Sequence, residues 1–73
     1  MTAAERWILD LSVLQSGDRI EVWDEDYESY IGTVGQVSLS LGVLWILEAG
    51  TGARRLFPFE GCRMRRAPLA LAA

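Results

Sequence analysis

Between residues 16 and 66, glycine-marked turns separate four or five short apolar runs at roughly ten-residue spacing, a rhythm that confines the chain to small antiparallel β architectures. With 73 residues in all, the chain builds one domain with a thin core. The expected fold is mainly β: a small five-stranded barrel preceded by a short N-terminal helix. Such a barrel has almost no interior for a substrate, which puts function on its outer surface.

A core this thin needs support from a disulfide, a metal or a partner chain. Cys62 is the single cysteine and histidine is absent, which excludes an internal disulfide and leaves no ordinary ligand set for a metal. No cofactor is expected, and self-association into a homo-oligomer becomes the leading source of support. Lysine and asparagine are also absent, so all seven basic residues are arginine. This bias has the character of a GC-rich coding sequence and points to a bacterium or its phage. No secretory leader pattern is seen, and the longest apolar run, residues 43–47, is far too short to span a bilayer. A cytoplasmic location without membrane association is the expectation.

Residues 1–15 read as an amphipathic helix: Thr2 and Glu5 have the form of a capping box, and Trp7, Ile8, Leu11 and Leu14 follow at helical spacing. Its apolar stripe is expected to pack on the barrel, residues 16–66. In Arg19–Trp23, Ile20 and Val22 alternate with Arg19 and Glu21, as in a half-buried strand. Residues 24–29 form an acidic loop. Residues 30–37 form a second strand whose Gly32 and Gly35 suit bending or bulging. Residues 38–42 fit either strand or turn. Val43–Glu48 is apolar on both faces, which implies two covered faces or a self-associating one. A glycine-rich turn over residues 49–52 leads to a fourth strand stopped by Pro58, and residues 62–66 form a short fifth. Residues 67–73 read as a flexible tail.

The run Gly17-Asp18-Arg19-Ile20-Glu21-Val22, a polar loop, and then Tyr30-Ile31-Gly32-Thr33-Val34 resembles the opening of SH3-like barrels of the Tudor type. A short helix before five strands is similar to the Sm-like variety, to which bacterial RNA chaperones and small acidic inhibitors of transcription termination belong. The residues by which Sm-like RNA binders hold a base are not recognisable in this chain. The resemblance implies a binding or assembly module. The final residues Ala70-Leu71-Ala72-Ala73 are similar to the end of the peptide tag that bacteria add to stalled translation products, although an Ala/Leu-biased tail gives the same letters.

Charge is divided along the chain. Residues 1–53 hold nine acids against Arg6 and Arg19, whereas residues 54–73 hold five arginines against Glu60. Either the two halves form faces for different partners, or the charges neutralise one another across neighbouring strands. Two candidate sites follow. A protein-binding surface would use Trp23, Asp24, Glu25, Asp26, Tyr27 and Tyr30, with aromatics and carboxylates suited to a partner's cationic and apolar side chains. The alternative is a nucleic-acid surface using Arg54, Arg55, Phe57, Arg63, Arg65 and Arg66, in which arginines meet phosphates and a phenylalanine stacks on a base. No catalytic residue is expected, because without His and Lys the common acid–base and Schiff-base routes are missing and Cys62 has no evident base partner.

Overall fold

The structure, a computed structural model, describes residues 7–67. Five strands, β1 (Arg19–Trp23), β2 (Ser29–Ser38), β3 (Val43–Glu48), β4 (Arg54–Pro58) and β5 (Arg63–Arg66), form one antiparallel sheet in the order β4-β3-β2-β1-β5. The alternation expected for β1 is observed, with Ile20 and Val22 completely buried and Arg19, Glu21 and Trp23 turned outward. In β3, Leu44 and Ile46 point inward. Both edge strands supply the same core, Phe57 from β4 and Met64 from β5, so the sheet curls around one apolar interior. Its ends are not hydrogen-bonded to each other, and the order runs open from β4 to β5.

Gly32 and Gly35 make that curvature possible in different ways. Gly32 lies against β3 so closely that a Cβ there would collide with the Leu47 carbonyl. Gly35 stands at the register shift between Val34 and Gln36, an extra residue that bends β2. Beyond the bend, residues 39–42 form a turn, which resolves the ambiguity of residues 38–42 and leaves Leu39 and Leu41 exposed.

The N-terminal helix is corrected in its described part. Residues 7–10 are irregular and only Leu11–Val13 form a single 3-10 turn, with the Asp10 carboxylate accepting from the Ser12 N–H at 3.0 Å. Tertiary contacts override the helical spacing: the Ile8 N–H donates to the Met64 carbonyl at 2.7 Å, which fixes the segment beside β5. Leu11 and Leu14 still reach the core, because a spacing of three residues also fits one tight turn. The segment therefore covers the core and leaves Leu47 on the outer face of β3 exposed. The proposed capping residues Thr2 and Glu5 and the tail beyond residue 67 lie outside the described residues. Among the described residues no helix is long and apolar enough to cross a membrane.

Candidate functional site

The outward face of β1 and β5 carries a linked set of side chains. Glu21 and Trp23 are two residues apart on β1, so both project from the same face. One Glu21 oxygen accepts from Trp23 Nε1 at 2.8 Å, and the other accepts from Arg65 Nε at 2.9 Å. Glu21 pairs with Arg65 in the β1–β5 ladder, which is why residues 44 positions apart in sequence meet. The guanidinium groups of Arg65 and Arg63 lie 5.1 and 5.7 Å from the centre of the Trp7 ring, within cation–π range. Trp7, Arg65, Glu21 and Trp23 thus hold one another in place. Trp7, Trp23 and Arg65 line a cleft of about 410 Å³ together with Asp24, Glu25, Tyr27, Gly61 and Arg63, and Glu21 holds Trp23 and Arg65 from beside it.

The acidic β1–β2 loop forms the rim, and its shape is fixed from within. The Asp24 carboxylate accepts from the N–H groups of Asp26 and Glu28 at 2.9 and 3.0 Å, while the Asp24 N–H donates to the Glu28 carbonyl and the Tyr27 N–H to the Asp24 carbonyl. At the tip, Tyr27 has φ of +63°, the one non-glycine residue in the left-handed region among the described residues. It is also 84% exposed. A bulky residue there costs of order 1 kcal/mol that glycine or asparagine would avoid. With so little of the side chain buried, packing does not offset that cost.

Charges in the cleft are divided between its two sides. Among the described residues Asp24 and Glu25 form no salt bridge, nor does Arg63, while Arg65 is held by Glu21. Cys62 lies beside the cleft, next to a shallow depression shared by Asp26, Phe57 and Glu60. Partial burial first, and then the negative field of Asp24 and Glu25, push its thiol above the ordinary range, so it is a poor nucleophile.

Of the residues expected to form a protein-binding surface, Trp23, Asp24, Glu25 and Tyr27 come together. Asp26 lies over the neighbouring depression. Tyr30 belongs elsewhere, because its parity turns it inward opposite Val22: its ring lies 5.2 Å from that of Phe57 and under the Arg55 guanidinium at 4.8 Å. Trp7, Arg63 and Arg65 are the cleft residues that this reading of the sequence did not include. Helical spacing places Trp7 on a helix face and charge alone groups the arginines into a nucleic-acid surface, and only the β1–β5 pairing and the stacking of Arg63 and Arg65 on Trp7 unite them with Trp23.

The alternative arginine surface is divided. Arg54 and Arg55 lie on β4, whereas Arg63, Arg65 and Arg66 lie on β5, at the opposite end of the strand order. Phe57 is buried in the core and unavailable for stacking. Most of the arginines are engaged by this chain itself. Arg55 pairs with Glu48 at 2.7 Å, Arg65 with Glu21, and Arg66 with Asp18 at 3.1 Å, while Arg54 lies over Trp45. The Arg55 side chain holds the Glu48 carboxyl below its ordinary range, and the Gln15 N–H followed by Arg66 does the same for Asp18. Pairing across the fold thus engages three of the five C-terminal arginines and answers the charge division in part, while the acidic loop at Asp24 and Glu25 keeps no salt bridge among the described residues.

No protein-family model, no curated protein and no solved structure matches this chain.

Proposed function

We propose that the protein is a non-catalytic, regulatory protein-binding module, cytoplasmic in a bacterium or phage, which docks a partner polypeptide in the cleft between Trp7, Trp23 and Tyr27. The observation that carries this reading is Tyr27: an exposed aromatic side chain kept in a strained backbone conformation at the mouth of a cleft. Strain without packing to offset it marks a residue maintained for contact with something else. Opposite Tyr27, the Glu21 carboxylate fixes Trp23 and Arg65 before any partner arrives, so less ordering is left to oppose binding.

The cleft chemistry suits a polypeptide segment. Two tryptophans and a tyrosine accept an apolar or aromatic anchor, Asp24 and Glu25, which form no salt bridge among the described residues, favour a basic neighbour, and Arg63 favours an acidic one. We read the scaffold as a small barrel of the SH3-like or Sm-like kind, a reading supported by the strand order and by a core supplied from both sheet edges.

Affinity capture with an N-terminally tagged chain, run with and without nuclease, tests the proposal when paired with Tyr27→Gly. The variant relieves the backbone strain, so it keeps or raises the melting temperature while losing the captured protein. Retention of the same protein by Tyr27→Gly, or disappearance of all bound material on nuclease treatment, would overturn the proposal in favour of another surface or of nucleic acid.

A further inference from the structure

We propose that the protein forms a two-fold symmetric dimer by pairing the free edge of β4 with β4 of a second copy. In the β3–β4 ladder the Phe59 N–H donates to the Gly42 carbonyl and the Glu48 N–H to the Ala53 carbonyl. The continuous register between these points places the ladder bonds at Arg55 and Phe57. The backbone N–H and C=O groups of Arg54 and Leu56, and the Pro58 carbonyl, therefore point away from the sheet. None of them has a backbone or side-chain partner among the described residues beyond the ladder. The other edge differs, because the Ile8 N–H occupies the Met64 carbonyl and Trp7 lies over the side chains of β5. Among the described residues one edge is available and the other is obstructed. Head-to-tail pairing of β4 with a partner's β5, which would build rings or filaments, is disfavoured by that obstruction, and the self-complementary pairing of β4 with β4 closes as a dimer.

Side chains select the register. Pairing Arg54 with the partner's Leu56 would set Arg55 directly across from the partner's Arg55, a like-charge contact. Pairing Leu56 with the partner's Leu56 instead sets Arg55 across from Phe57 and Arg54 across from Pro58. In this register the two Leu56 backbones exchange hydrogen bonds, and each Arg54 N–H donates to the partner's Pro58 carbonyl. Pro58 lacks an N–H, so each pairing of Arg54 with Pro58 carries this one bond and leaves the Arg54 carbonyl to solvent at the end of the ladder.

The outward face supplies the apolar contribution. Ile31, Leu47 and Leu56 are diagonal neighbours across β2, β3 and β4, and each is at least 40% exposed. Their row ends at the free edge. The selected register joins it to the same row of the second copy, so one apolar strip crosses the two-fold axis.

Sedimentation equilibrium of the full chain tests the proposal alongside Leu56→Pro and Leu56→Arg. Proline removes an N–H that β3 does not use, and arginine places like charges across the axis without touching the backbone. The expected result is a wild-type dimer of twice the chain mass and two monomeric variants with unchanged circular dichroism. The wild-type amides of Arg54 and Leu56 should also exchange more slowly as concentration rises. A monomeric wild type at millimolar concentration, a larger assembly, or a dimer that survives Leu56→Arg would overturn the proposal. Should Leu56→Pro fail to fold, Leu56→Arg and the amide exchange decide.

Discussion

Replacing Gly32 by alanine places a methyl carbon against the Leu47 carbonyl, a backbone atom of the central strand, with Ile46 Cδ1 a further 3.1 Å contact. A flexible side chain could swing away, but a ladder carbonyl cannot move without disturbing the β2–β3 pairing between Gly32 and Glu48 and between Thr33 and Leu47. Overpacking of this kind costs about 3 kcal/mol, at the upper end of its usual range. A chain of 73 residues has a total stability of roughly 4–11 kcal/mol. The loss corresponds to a fall in melting temperature of about 12–24 °C for a domain of this size. Gly35, three residues along the same strand, is the internal control. Its added Cβ would meet Trp45 O at 3.7 Å, an ordinary contact, so Gly35→Ala should be neutral or stabilise by up to about 1 kcal/mol through the unfolded chain. Thermal denaturation by circular dichroism reads both. A Gly32→Ala protein melting within about 4 °C of wild type, a shift worth only about 1 kcal/mol, would refute the close-approach argument. So would a Gly35→Ala protein that loses as much stability as Gly32→Ala.

Acid should destabilise the fold in a defined window. The carboxyls of Asp10, Asp18 and Glu48 are all held below their ordinary values by hydrogen bonds, with Arg66 and Arg55 assisting the latter two, so their contribution is complete above the unfolded carboxylate range near about pH 4 and is lost as pH falls through the lowered folded values. The melting temperature should be flat from about pH 7 to 5 and decline below about pH 4; a constant value from pH 5 to 3 contradicts these pairings. Cys62, whose thiol is pushed up by burial and by Asp24 and Glu25, should react with iodoacetamide at pH 8 more slowly in the folded chain than in the urea-unfolded chain, and faster labelling of the folded form would contradict the assigned environment.

Much of the sheet was legible because strand parity and turn chemistry are local. Ile20 and Val22 alternate with charged residues, and Gly50 and Gly52 sit in a turn between apolar runs, so β1, β3 and β4 begin where their patterns do. The segment around Leu11 was not legible as a 3-10 turn. Its spacing satisfies a helix equally well, and the deciding interaction is a hydrogen bond from Ile8 to Met64, 56 positions away. The cleft was half legible for the same reason. Trp23, Asp24, Glu25 and Tyr27 are consecutive or nearly so, whereas Trp7 and Arg65 join them only through the pairing of the first and last strands. Tyr30 was misplaced by proximity in sequence, although counting parity from Val22 across the hairpin would have turned it inward.

Docking of a partner protein in the cleft at Tyr27, as proposed, is tested by site-specific photocrosslinking in cells of a GC-rich bacterial host. A photoreactive phenylalanine derivative is placed at residue 27 and, separately, at residue 39, which is exposed on the turn between β2 and β3. The expected result is one discrete protein adduct from residue 27 that resists nuclease and is absent from residue 39. Adducts from residue 39 alone, or an adduct from residue 27 that nuclease removes, would contradict it.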